Sequence, residues 1–538
     1  MTAFLYATPS VFESTRERAL LGLSADLHRP VRFHARVAKG VLPLRLALQS
    51  LGELIWHSDE WNPEWGGGVL DPVITVHPDR VFLEAFSQDQ SAYGLVIADR
   101  ECFAPEGEVR CGTTNVDFTA WLWAALAEMR SSRETHLRVG HEGFEVRTTG
   151  AGGRFEQKVD VPDAWVRGFL QLQAGMAMPG THLSVRPVDL LAAVRFLRYT
   201  KAKVSPRALR YELPPGEDAR LVLEPWEQVI ALRGTAHGGL EPRGIRTWGR
   251  RRLRLLEPLL PYAERVDIFL KGRALPHFYV AHLGAGVRFV LGLSGWTANR
   301  WMGSAGLDLL LEPQRDGDLL ERALGVLRER FHASTQEVAG ALGVDTARAA
   351  GALAAQCAAG RAMFDVEARR WRHRELFATP VDLGRLYPPD ARREEAERLQ
   401  AAGEVTVTSE APRETRKVRR LPTPQGPVIR EVIHRDWVVH GRAGAQAALE
   451  LVLSDEDRLL FGRCGCEHFR EHLLNQGPCA HLLALLRVAR VRRKELASST
   501  PSSPDALAAR VDRDSSARHG EGEDDAPLDE EDSDDDNR

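Results

Sequence analysis

Cysteine, methionine and aromatic residues are scarce: six Cys, six Met and 7% Phe, Trp and Tyr among 538 residues. Six cysteines cannot form a disulfide framework for a chain of this length. No apolar run approaches the roughly 18 residues that a membrane span requires. The opening MTAFLYATPSVFESTRERALL has no basic segment followed by an apolar stretch and a small-residue cleavage site. These absences predict a soluble, cytoplasmic protein with no membrane partner. The common catalytic signatures are also missing: there is no G-x-x-x-x-G-K-[ST] loop, no G-x-G-x-x-G opening a helix after a strand, and no G-x-S-x-G elbow. No catalytic residue is assigned. An enzyme whose site lies unrecognised in residues 1–315 is the alternative that these absences leave open.

What is present suffices for several buried cores, since 43% of the residues are hydrophobic. The net charge of −4 is uneven: residues 521–538 hold eleven acidic residues and one Arg, a balance of −10, which leaves +6 on residues 1–520. The expected fold is α+β and multidomain. Residues 1–315 mix alternating strands (PVITVHPDRVFLEAFS) with amphipathic helices after Pro162 and Pro187, with a subdomain edge near 150 at the glycine-rich hairpin signal EVRTTGAGGRFEQKVDV. Asn115 and Asp117 in GTTNVDFTAWLWAAL read as helix caps.

Residues 316–378 are predicted to form three short helices and a hairpin. Ser334 and Glu337 stand in capping-box spacing, Asp345 caps the third helix, and RAMFDVEARRWRHRELF alternates like paired strands. The pattern resembles a winged helix-turn-helix. In its hairpin, alternation places Arg370, Arg372 and Arg374 on one face, a row able to track phosphates. Residues 379–425, rich in Pro, Arg and Glu, are expected to be a linker, and residues 426–495 to hold strands and a metal site. Residues 496–538, polar, strongly charged and without aromatics, are expected to be a disordered acidic tail.

The metal site is predicted from FGRCGCEHFREHLLNQGPCAHLLALL. Cys464 and Cys466 flank one Gly, and residues i and i+2 of an extended chain face the same way. Cys479 and His481 repeat that spacing twelve residues later. Three thiolates and one imidazole are an ordinary tetrahedral set for a single structural Zn2+. A competing reading, His468-x-x-Glu471-His472 as an inverted zinc-protease motif, lacks its third ligand and the open position that such catalysis needs.

The order CxC, twelve residues, CxH, with strands before it and a helix after it, resembles the SWIM-type zinc finger family, known from bacterial proteins among others. The resemblance covers roughly residues 450–490. It implies a ββα finger that binds DNA or protein partners, and in bacteria it implies company with ATPase or helicase components. Beyond the finger, Arg487, Arg490 and Lys494 recur at i, i+3, i+7 on a predicted helix and could extend a phosphate-facing surface. The resulting expectation is a non-enzymatic zinc-binding adaptor for DNA, RNA or a protein partner. A module limited to protein contacts, such as with an ATPase component, is the second alternative.

Overall fold

The alternation in PVITVHPDRVFLEAFS yields the paired strands Val73–Val76 and Arg80–Phe86, which lie inside an eight-stranded sheet. Its order is Thr181–Val185, Arg265–Leu270, His277–His282, Val287–Leu293, Ala92–Asp99, Arg80–Phe86, Val73–Val76, Gly112–Asn115, antiparallel throughout. Several of these strands are buried on both faces, so their sequences read as near-continuous apolar runs. The helix Val41–Trp56 packs on the sheet through Leu44, Leu48, Leu51 and Ile55, a stripe at helical spacing.

The computed structural model describes residues 3–6, 8–28, 31–56, 71–87, 91–140, 157–160, 163–177, 180–203, 207–236, 243–271, 276–294, 316–377, 391–423, 426–454, 459–472 and 478–499. The chain divides into two units: Met1–Lys201, Ala208–Leu223 and Val229–Leu386 form one, and Ala202–Arg207, Glu224–Gln228 and Tyr387–Arg538 form the other. The acidic tail expected at 496–538 lies outside the described residues apart from the end of the helix Ala480–Ser499. Among the described residues no helix is long and apolar enough to cross a membrane.

In the first unit a five-stranded sheet (Val11–Ser14, Arg18–Ser24, Glu134–Gly140, Phe33–Val37, Phe103–Pro105) contains one parallel pair, Glu134–Gly140 beside Arg18–Ser24. The helices expected after Pro162 and Pro187 are Asp163–Ala177 and Pro187–Tyr199. Most of the glycine-rich hairpin signal lies outside the described residues, and its end, Gln157–Asp160, pairs instead with Ala3–Tyr6. Asn115 and Asp117 do not cap the following helix. Thr119 does, accepting from the Leu122 amide at 3.2 Å, while Asp117 accepts the backbone N–H of Ser10 at 2.9 Å.

Residues 316–377 fold into the helices Gly317–Arg330, Thr335–Leu342 and Thr346–Ala358 and the strands His332–Ala333, Ala362–Asp365 and Arg370–His373. Asp316, Ser334 and Asp345 cap the three helices, and Ser334 forms a complete capping box with Glu337. The second helix stops at Gly343, whose φ of +67° suits glycine and strains other residues. This segment belongs to the same unit as the N-terminal region rather than forming a domain of its own. Gln173 on Asp163–Ala177 accepts the Phe364 amide at 2.7 Å, and the ion pairs described below reinforce the join.

The second unit corrects the expectation of a linker. Within 379–425 lie the helix Ala391–Ala401 and the 19-residue strand Val405–Thr423. The helix is polar on most of its surface and buries only Ala396 and Leu399, which is why its sequence reads as a connector. The strand joins Gly426–Ala443, Gln446–Ser454 and Leu459–Arg463 in a four-stranded antiparallel sheet, in that order. The helix Ala480–Ser499 covers the sheet, and Leu482, Leu485, Leu486 and Ala489 meet Val439, Leu449 and Leu451 in one core.

Candidate metal centre

Cys464 and Cys466 leave the end of the strand Leu459–Arg463, and the helix Glu467–His472 begins immediately after them. Cys479 precedes the helix Ala480–Ser499, and His481 stands in that helix's first turn. The fold thus brings two pairs separated by twelve residues to one place: the three Sγ atoms and a ring nitrogen of His481 lie within 4.8 Å of one another. His481 Nδ1 is 3.9 Å from Cys464 Sγ. A tetrahedron of Zn–S bonds of 2.3 Å has edges of about 3.8 Å, so a contraction of at most about 1 Å in the widest pair would close the set on one ion.

The helices supply more than position. Cys466 sits at the N-cap of Glu467–His472: its carbonyl accepts the Arg470 amide at 3.1 Å, and its Sγ accepts the Phe469 amide at 3.4 Å. Cys479 plays the same part for Ala480–Ser499, its carbonyl accepting the Leu483 amide at 2.9 Å while its sulfur accepts the Leu482 amide. Cys464 Sγ accepts the Cys466 amide at 3.5 Å. Each sulfur therefore faces a backbone N–H, and two stand at the positive ends of helices, where a thiolate is stabilised. The thiols perturb one another as well. Cys479 is held down to about 5, first by the hydrogen bond from Cys464, with burial opposing. Cys464 is pushed up, first by that same bond and then by burial.

Cys464 and Cys479 are buried beside Phe469 and Leu482, whereas Cys466 and His481 are half-buried. Four donors of this chemistry, three of them facing backbone amides, fit a metal ion. His468 and Glu471 are not members of the cluster, and the His472 side chain lies outside the described residues. The N–H···S pattern was not anticipated from the sequence, since it depends on the short helix Glu467–His472 and on the first turn of Ala480–Ser499.

The arginines fare differently. Arg372 and Arg374 are 1% exposed and bound to carboxylates, which corrects the expectation that they track phosphates. Arg372 donates to Asp365 at 2.8 Å and to Asp79 at 2.9 Å, and its guanidinium lies over the Phe82 ring. Arg374 donates to the fully buried Glu84. Arg370, partly exposed, is held by Glu337 and His332. Arg372 and Arg374 are thus turned into the unit, where Asp79, Asp365 and Glu84 neutralise them, while Arg370 stays at its surface. On the C-terminal helix, Arg487 pairs with Glu397 at 2.9 Å, Arg490 is half-buried and engaged, and the Lys494 side chain lies outside the described residues.

No protein-family model matches this chain, and no curated protein does. Among solved structures, the Proliferating Cellular Nuclear Antigen from Entamoeba histolytica aligns with 49% of this chain and 98% of its own at 10% identity, with a TM-score of 0.32. A likeness of that size defines neither the fold nor a function.

Proposed function

We propose that the chain is a non-enzymatic adaptor whose C-terminal unit is a SWIM-type module built on one structural Zn2+, held by Cys464, Cys466, Cys479 and His481. One observation carries this reading: four donors from two pairs twelve residues apart converge within 4.8 Å at the ends of two helices and a strand. A closed set of three thiolates and an imidazole holds the chain and offers no site for an attacking water. In small zinc modules such binding is worth on the order of 10–16 kcal/mol, much of it appearing as folding free energy. The winged-helix-like segment 316–377 serves the first unit as an internal brace, since its buried arginines are already neutralised. Partner binding, to nucleic acid or to protein, therefore falls to the C-terminal unit.

Metal analysis of the purified full chain tests the reading. One zinc per chain is expected, lost in Cys479→Ser and retained in His468→Ala and Glu471→Gln. Metal-free protein with an intact C-terminal fold would overturn it, and so would a stoichiometry that depends on His468 or Glu471.

A further inference from the structure

The strands Val405–Thr423 and Gly426–Ala443 outrun their sheet. Gln446–Ser454 pairs with the second of them only from Asp436 to Ala443, so from Arg413–Thr423 and Gly426–Arg435 onward the two strands have, among the described residues, only each other in the sheet. The result is a two-stranded arm roughly 35 Å long, at about 3.3 Å per residue. Between Arg413 and Arg435 the sequence holds seven Arg or Lys and two Glu.

Register sorts these charges onto two faces. On one, Glu414 stands opposite Arg435, and Glu431, opposite Val418, lies between the positions of Arg416 and Arg420. That face balances most of its own charge. On the other, Arg413 stands opposite Asp436 at the base, Lys417 opposite Val432, and Arg419 directly opposite Arg430. No acidic residue occupies a same-face position beyond Asp436. Like charges directly opposite one another destabilise a hairpin. Charges placed only to keep edge strands from pairing would work equally well on both faces, so the asymmetry points to an anionic partner.

We propose that this arm binds duplex DNA, through phosphates and without reading sequence, by the face that carries Lys417, Arg419 and Arg430. A two-stranded ribbon fits the major groove of B-form DNA, about 12 Å wide, whereas the groove of A-form RNA is too narrow and deep to admit it. Lysine and arginine placed on backbone phosphates give affinity and salt dependence rather than base recognition. The proposal rests on the adaptor reading above and gives it a partner and a surface.

The test is a titration of the full chain with a labelled duplex of roughly 25 base pairs, longer than the ~10 that the arm can span, at two salt concentrations. The Lys417→Gln, Arg419→Gln, Arg430→Gln triple variant is expected to lose more than about tenfold in affinity and to flatten the dependence of log K on log salt by about 2.7, the effect of three phosphate contacts. The opposite-face variant Arg416→Gln, Arg420→Gln should bind within about threefold of wild type. Failure of the wild type to bind duplex, equal losses in the two variants, or preference for single-stranded or RNA probes would each overturn the proposal. Zinc content is measured on every variant. Loss of DNA binding with zinc retained bears on the arm alone, and a wild type without zinc that still binds through these three residues sinks the metal reading and leaves the arm standing.

Discussion

Arg374 and Glu84, 290 residues apart in sequence, form an ion pair in which both side chains are fully buried. Glu84 also accepts the Tyr93 hydroxyl at 2.7 Å, and the Arg374 guanidinium lies 5.5 Å from the Phe169 ring centre. Two charges taken out of water attract strongly but lose their hydration, so the pair adds little to stability while its disruption costs much. Arg374→Ala strands the Glu84 carboxylate and is expected to cost about 3–5 kcal/mol in denaturant titrations. The double variant Glu84→Gln, Arg374→Met keeps an acceptor for Tyr93 and removes both charges, and it should recover most of that loss. A double variant as unstable as the single would mean that the arginine acts through packing and not through charge.

Asp71 gives the first unit a stability that falls as pH rises. Burial pushes its carboxyl up to about 7, with the charge of Asp117 adding to the effect and the Tyr6 hydroxyl, donating at 2.8 Å, opposing it. The folded state therefore holds a proton that the unfolded chain releases near the ordinary carboxylate range. Stability from this group is complete below about 4 and is lost as pH rises through about 7. Between pH 5.5 and pH 8 the loss is about 2 kcal/mol. Asp71→Asn should remove that slope and unfold later than wild type at pH 8, as thermal melts at the two pH values would reveal. Parallel melts for the two proteins would place the ionisation elsewhere.

Features encoded within a few residues were legible in the sequence. Ser334, Glu337, Asp345 and Gly343 announced their helix boundaries because caps depend on neighbours three or four positions away. The metal ligands were legible for the same reason, since Cys464, Cys466, Cys479 and His481 fall within eighteen residues and only sulfur and imidazole could serve. The fate of Arg372 and Arg374 was not legible. Alternation tells which residues share a face but not what covers it, and the covering acids Asp79 and Glu84 stand nearly three hundred positions away. The strand Val405–Thr423 was hidden by its own composition, since prolines and charges suit an edge strand as well as they suit a linker.

Gly441 shows how the sheet sets the metal centre. It lies under the helix Ala480–Ser499, and a Cβ added there would come to 2.4 Å from Leu485 Cδ1 and 2.6 Å from the Thr406 carbonyl oxygen. The Thr406 oxygen lies on the paired strand of the same sheet and has little freedom, so the added methyl cannot retreat that way and presses on both Leu485 methyls, pushing the helix off the sheet. That helix carries His481, and its first amides solvate the Cys479 sulfur. Overpacking of this kind typically costs about 1–3 kcal/mol, and the displacement should weaken zinc binding as well. Gly325→Ala, in the helix Gly317–Arg330 with open space around it, makes a matched control. It should be neutral or stabilising by up to about 1 kcal/mol, because alanine favours a helix over glycine. Chelator competition and thermal melts on the two variants separate the effects: zinc held less tightly in Gly441→Ala alone ties metal affinity to the helix seat, whereas unchanged zinc affinity in a destabilised Gly441→Ala would mean that the four ligands hold their geometry without it.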